Sequence, residues 1–222
     1  MKLYGPSSGP LYQGEVWHRS KIIQYCIEKH SYTSYLEIGF GNPNNAHVNW
    51  NKISAPKKVC VDPSWRSPDF VIKEKSEDYF ETNTDTFDII YIDGDHKATT
   101  VYNDILSSLD ILNPGGMVLS HDNSPRSPEE ESPKVSGDGW KALAFLRQRD
   151  DLDICVVNAD AGLSMIKKRK NSYPLSVSPE DELHDFLSGK EPDFSKVGYY
   201  VLDKKRVEIL NLLEIEEALK WL

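Results

Sequence analysis

The sequence predicts an α/β protein built on one open, doubly wound, mostly parallel sheet. Three observations carry that expectation. Apolar runs of strand length alternate with stretches of helical periodicity, the strand-like runs end in polar or glycine-rich turns, and Phe87 to Ile92 (FDIIYI) is apolar almost without a break. A continuous apolar run of that length suits a strand covered on both faces, as central parallel strands are.

In order along the chain, residues 1–14 read as an irregular leader, without the basic start and apolar core of a signal peptide. Glu15 to His30 carries Ile22, Ile23, Cys26 and Ile27 at helical spacing. Ser34 to Asn45 (SYLEIGFGNPNN) follows as a strand running into Gly39 and Gly41, where positive φ and close backbone approach are open to glycine alone. Asn42 to Asn51 reads as a loop with a short helix, weakened by Pro43 and several asparagines.

Lys57 to Asp62 (KKVCVD) is a strand stopped by Pro63, Asp69 to Ile72 (DFVI) a third short strand, and the segment with Tyr79 and Phe80 a helix. The central strand Phe87 to Ile92 ends in DGDH, Asp93 to His96. Val101, Ile105, Leu109 and Leu112 then repeat at helical spacing until Asn113, Pro114, Gly115 and Gly116 break the pattern. Met117 to Ser120 is the next strand and runs into His121, Asp122 and Asn123.

Residues 123–139, with Pro125, Pro128 and Pro133, predict a long lid-like loop. Trp140, Leu143 and Leu146 mark a helix, and Asp153 to Val157 with Gly162 to Ile166 a terminal antiparallel hairpin, which brings the sheet to seven strands. Residues 1–170 thus form the main domain. Residues 171–222 read as a C-terminal extension packed on it, with a short helix over Pro179 to Leu187 and a helical tail, Val207 to Leu222, presenting one broad apolar face.

The bulk numbers limit the function classes. A chain of 222 residues is long enough for one large α/β domain, and its net charge of −9 argues against phosphate-backbone binding, so no nucleic-acid partner is expected. The KKRK run, Lys167 to Lys170, reads as a solvated strand end. There is no apolar run of about 18 residues to span a membrane. Cys26, Cys60 and Cys155 lack metal-binding spacing and read as buried thiols, which suits a cytoplasmic protein.

In open parallel sheets ligands bind beyond the carboxyl ends of the strands. The polar clusters fall there: Glu37, Gly39 and Gly41, then Asp62, Ser76, Asp93 to His96, and His121 to Asn123. A dinucleotide fingerprint wants a third glycine, for which Asn44 stands here, whereas Asp62 lies 21 residues beyond Gly41 and suits a ribose hydroxyl pair. An adenosine ligand without a pyrophosphate fits both facts. An NAD-dependent oxidoreductase and a noncatalytic nucleotide- or protein-binding module remain the alternatives, although the Tyr-x-x-x-Lys spacings, at Tyr25 and Tyr200, lie where no short-chain dehydrogenase would place them.

LEIGFG, CVDP, FDIIYIDGDH and LNPGGMVLSHDN, in that order over about Tyr35 to Lys167, resemble the class I S-adenosylmethionine-dependent methyltransferases, which have a Rossmann-like sheet. The IDGxH and HD motifs and the stretch Gly137 to Arg147 resemble the subfamily that includes small-molecule and sugar O-methyltransferases. The resemblance implies a cofactor site of Glu37, Gly39, Phe40, Gly41, Asn42, Asp62, Pro63, Ser76 and Asp93, with Glu37 ordering the amino-acid end and Asp62 the ribose. It implies Asp95, His96 and His121 as the catalytic candidates. It also implies Asp93, Asp122 and Asn123 as oxygen ligands suited to Mg²⁺, although Asp93 reads equally as a cofactor contact or helix cap. The expected acceptor is a small molecule or saccharide, and a homo-oligomer stays open.

Overall fold

The structure, a computed structural model, describes residues 11–12, 15–41 and 48–222. In chain order its elements are β1 (Leu11–Tyr12), β2 (Glu15–Val16), α1 (Arg19–His30), β3 (Ser34–Ile38), β4 (Lys57–Val61), α2 (Ser76–Thr82), β5 (Phe87–Ile92), α3 (Ala98–Asp110) and β6 (Leu112–Ser120). After them come α4 (Trp140–Leu146), β7 (Leu152–Val157), β8 (Leu163–Lys168), α5 (His184–Leu187), α6 (Tyr199–Leu210), β9 (Leu212–Leu213) and α7 (Ile215–Trp221). The main sheet has the order β4-β3-β5-β6-β8-β7-β9. Its first four strands are parallel, β8 is antiparallel to β6 and β7, and β9 is parallel to β7.

Seven strands were expected and seven form, but not the same seven. Asp69 to Ile72 contributes only a bridge from Ile72 to Val61, because Pro68 and the turn hydrogen bond from Val71 N–H to the Pro68 carbonyl leave no extended run to pair. The seventh strand comes from the tail. Asn211 takes φ +46, a left-handed conformation that asparagine tolerates better than most residues, and this ends α6 where one continuous helix was expected. Leu212 and Leu213 then pair with Val156 and Val157 before a capping box on Glu214 starts α7.

Other departures are local. The chain before α1 is not wholly irregular, since Leu11–Tyr12 pairs with Glu15–Val16, and α1 begins at Arg19 rather than Glu15. Val48 precedes a 3-10 turn, Asn49–Lys52, and the reading of Asn42 to Asn51 otherwise lies mostly outside the described residues. Asn113 to Gly116 does not end a helix ahead of a separate strand; it bulges within β6, and Gly116 sits so close to the Asp88 carbonyl that a Cβ would lie 2.6 Å from it. Residues 123–139 hold no helix or strand, as expected. Cys26, Cys60 and Cys155 are free and buried. No helix among the described residues is long and apolar enough to cross a membrane.

The sheet is covered on both faces. Leu36, Ile38, Ile90, Ile92 and Val118 face α3, α4 and the tail, whereas Tyr35, Ile89, Tyr91, Met117 and Leu119 face α1 and α7. This alternation is the period of two along each strand. The tail joins the first of these cores: Leu183, Phe186, Val201, Leu202, Ile209 and Leu210 are all buried in it. Arg147 at the end of α4 fixes the arrangement by donating to the Ile209 carbonyl at 2.8 Å and to the Tyr173 carbonyl.

Phe186→Ala removes a side chain that is 1% exposed, so a loss of about 3–5 kcal/mol is expected in urea unfolding. A single cooperative transition with that loss would show the tail folding with the sheet, and an early separate transition of the tail would contradict it.

Candidate active site

The parallel strands deliver their carboxyl ends to one rim, and the crossing there is tight. Asp93 N–H donates to the Ile38 carbonyl and Gly39 N–H to the Val61 carbonyl, each at 2.8 Å. Gly39 has φ +93, and a Cβ on it would lie 2.1 Å from the Asp93 carbonyl oxygen. Only glycine fits there. Gly41, at φ +73, has open space where its Cβ would stand.

Beside this crossing is a cavity of about 630 Å³, lined among others by Gly39, Gly41, Asp62, Pro63, Ser76, Asp93 and Asp95. Six of the nine residues expected at the cofactor therefore meet around one space. Lys75, Glu77 and Thr100 line it as well and were not singled out in the sequence. Asp62 shapes the mouth: its carboxylate accepts Phe40 N–H at 2.8 Å, Gly41 N–H at 3.3 Å, Ser64 N–H at 2.8 Å and the Ser67 hydroxyl at 3.2 Å.

The other three expected residues differ. Phe40 reaches the site through its backbone, while its ring packs with Val48, Cys60 and Val71. Asn42 lies outside the described residues. Glu37 is buried on the sheet face beneath the rim, where its carboxylate accepts from the Tyr35 hydroxyl at 2.5 Å and the Asn49 amide at 3.5 Å. Burial outweighs those hydrogen bonds and pushes its carboxyl up to about 7.

A second cluster lies across the rim. Asp93 Oδ1 and Asp122 Oδ2 are flanked by two imidazoles: His96 Nε2 at 3.7 and 3.4 Å, and His121 Nδ1 at 3.5 and 3.2 Å. Asp122 reaches this position through a left-handed turn at φ +61 just after β6. Asn123, expected as a third oxygen ligand, donates its amide nitrogen to the Ser120 carbonyl at 2.8 Å and the His121 carbonyl at 2.9 Å, while its Oδ1 is buried without a hydrogen-bond partner. That fold-back of its carboxamide secures the end of β6. Among the His, Cys, Asp and Glu side chains of the described residues, Asp93, His96 and Asp122 bring one potential metal-donor atom each within 4.8 Å of one another.

Electrostatics bind the cluster together. Burial would raise the Asp93 carboxyl, but the neighbouring His121 and His96 imidazoles and Arg19 hold it well below the usual carboxylate range. His121 is opposed by burial yet pushed up to about 10 by Asp93 and Asp122. The two carboxylates thus favour the charged imidazole at His121. Asp95 differs from both histidines. It is exposed at the start of α3, accepting the Thr100 hydroxyl at 3.2 Å and pairing with Lys97 at 3.3 Å.

Several contributors were not found in the sequence. Arg19 grips Asp160 Oδ2 with its backbone N–H at 3.1 Å and its guanidinium at 2.8 Å, and that oxygen is 3.9 Å from His121 Nε2. Tyr91 donates to Asp93 at 2.8 Å. One signal for Asp160 existed: a strand antiparallel to β6 must start where β6 ends, which returns the β7–β8 turn to the rim. The loop 123–139 is clasped onto the site as well. Asp138 N–H donates to the His96 carbonyl at 3.0 Å, and the Asp138 carboxylate accepts Ala98 N–H at 2.7 Å.

Residues 25–123 match the family described as a methyltransferase domain. No curated protein matches the sequence. The fold resembles that of the S-adenosylhomocysteine-bound methyltransferase PaMTH1 of Podospora anserina, at a TM-score of 0.54 and 17% identity over 68% of this chain and 78% of that one. It also resembles a putative caffeoyl-CoA O-methyltransferase from Staphylococcus aureus, at a TM-score of 0.52 and 15% identity over 72% and 86% of the two chains. A putative O-methyltransferase from Klebsiella pneumoniae gives a TM-score of 0.51 and 13% identity over 72% and 84%. Residues 25–123 thus carry the likeness to a methyltransferase domain, and the fold is the one that these solved methyltransferases have.

Glu37 gives a test of the buried chemistry. Its folded value of about 7 lies above the ordinary 4.5, so the folded protein keeps a proton that the unfolded chain has already lost. That contribution is complete below pH 4.5 and is lost as pH rises to about 7. Relative to wild type, Glu37→Gln should therefore be more stable at pH 8 than at pH 5, by an amount on the order of 3 kcal/mol in denaturant unfolding. A pH-independent difference would mean that Glu37 is ionised throughout.

Proposed function

We propose that this protein transfers the methyl group of S-adenosylmethionine to an oxygen of a small-molecule or saccharide acceptor. The observation that carries the reading is the cavity at the ends of β3, β4 and β5, with Gly39, Gly41 and Asp62 on one side and Asp93 and Asp95 on the other. Gly39 and Gly41 leave room for the cofactor to lie against backbone, and Asp62 offers the ribose hydroxyls a carboxylate already aimed by four donors.

Methyl transfer to a hydroxyl needs the acceptor oxygen aligned behind the methyl carbon and its proton removed. Asp95 is the residue suited to take that proton, because it lines the cavity and is exposed, whereas both imidazoles are tied to carboxylates. Asp93 and Asp122 are the two carboxylates that would hold a divalent cation. Such a cation, when bound, would lower the acceptor hydroxyl's pKa. The loop 123–139, clasped to His96 and Ala98 through Asp138, is placed to wall the acceptor side.

Calorimetry with S-adenosylhomocysteine tests the cofactor site. One molecule should bind per chain, and Asp62→Ala should weaken binding at least ~10-fold; no binding by the intact protein would sink the proposal. Asp95→Asn should keep that affinity while lowering methyl transfer by roughly 10²-fold or more. Unchanged transfer would remove Asp95 as the base.

A further inference from the structure

We infer that a cavity at the pole opposite the rim is a second binding site, which takes a small amphiphilic anion: a phosphate or carboxylate head carried on an apolar body. The site stands apart from the methyl-transfer reading, on residues which that reading does not use.

The sheet topology builds this cavity. β8 runs antiparallel to β6, so it ends where the parallel strands begin, and β7 starts beside it with Leu152 opposite Lys168. The end of α3 completes the walls. They enclose about 660 Å³, no less than the space beside Gly39 and within the roughly 300–1,000 Å³ of small-molecule sites.

The lining divides by chemistry. Leu106 and Leu109 of α3 and Leu152 of β7 make an apolar wall, and Arg149, Lys168, Arg169 and Lys170 a cationic one. Two of these charges are already answered. Arg149 grips the Asp151 carboxylate at 2.9 and 2.7 Å, and Arg169 donates to Asp153 at 2.8 Å while its guanidinium lies 4.3 Å over the Trp221 ring. Lys168 and Lys170 are exposed and make no ion pair or side-chain hydrogen bond among the described residues. Against them stands Asp110, the one lining carboxylate outside an ion pair. Positive charge is thus in excess here, on a chain whose net charge is −9.

His30, at the end of α1, reports the same sign from the other face of the sheet. Partial burial lowers it below the ordinary imidazole value, and so do the fields of Lys167, Lys29 and Arg169. Arg169 belongs to the cavity wall, so the positive field runs through this pole. The KKRK run is therefore more than a solvated strand end: Lys167 is 8% exposed, and Lys168 and Lys170 stand over a space with a leucine side. Flexible ammonium groups beside hydrocarbon favour a ligand that offers a negative head and an apolar body together. A bare anion would use the lysines alone, and a neutral hydrophobe the leucines alone.

Calorimetry of the whole chain with octyl phosphate, kept below its micellar concentration, tests the inference, with inorganic phosphate and octyltrimethylammonium as controls. We expect one octyl phosphate per chain, affinity that falls with added salt, and at least ~10-fold weaker binding of either control. The double variant K168E/K170E should bind octyl phosphate at least ~10-fold more weakly. Urea unfolding checks that this variant folds as wild type does, and K168A/K170A serves if the charge reversal disturbs it. No octyl phosphate binding, either control binding as well as octyl phosphate, affinity unchanged in the lysine variants, or uptake by phosphatidylglycerol vesicles instead would each overturn the inference. S-adenosylhomocysteine binding by the intact protein bears on the methyl-transfer reading alone.

Discussion

The structure depends on one close crossing, where the backbone of Gly39 passes against the carbonyl of Asp93. A Cβ at Gly39 would stand 2.1 Å from that oxygen, so the approach exists only because the residue has no side chain. The crossing joins the ends of β3 and β5, neighbours at the point where the strand order turns back on itself. Such a point opens a crevice between adjacent loops. Here it places the cavity bounded by Asp62 on one side of Gly39 and the charged cluster around Asp93 on the other.

That cluster is a balance of charges taken out of water together. Asp93, Asp122 and Asp160 face His96, His121 and Arg19, and no member would be tolerated at such burial without the others. Its parts come from five separate places: the start of α1, the ends of β5 and β6, the residue before Lys97, and the β7–β8 turn. The turn is itself unusual, since Asp160, Ala161 and Gly162 all have positive φ. It is held by Asn123 N–H donating to the Gly162 carbonyl and Ser124 N–H to the Ala161 carbonyl. The segment carrying Asp122 and the turn carrying Asp160 therefore fix each other.

Far from the rim, the tail closes the sheet. Leu212 and Leu213 add an edge strand, and the buried Arg147 guanidinium ties the end of α6 and the Tyr173 carbonyl to α4. The same edge was expected to be a face of one long helix. The difference turns on Asn211, whose amide donates to the Ile154 carbonyl and whose own carbonyl accepts Val156 N–H. Neither partner is near it in sequence.

By itself the sequence determined the layered architecture, the central strand Phe87 to Ile92, the glycines of the rim, and the arrival of Asp62, Asp93 and Asp122 at strand ends. Those features are written in local periodicity and in residue types whose backbone freedom is intrinsic. The tertiary structure alone decided that Asp69 to Ile72 would not pair as a strand, that Leu212 and Leu213 would, and that Glu37 would lie beneath the rim with Tyr35. It also turned Asn123 back on β6 and brought His96, His121, Arg19 and Asp160 around the two carboxylates. Side-chain direction at a strand end depends on the turn that follows and on charges contributed from distant segments, and a one-dimensional pattern records neither.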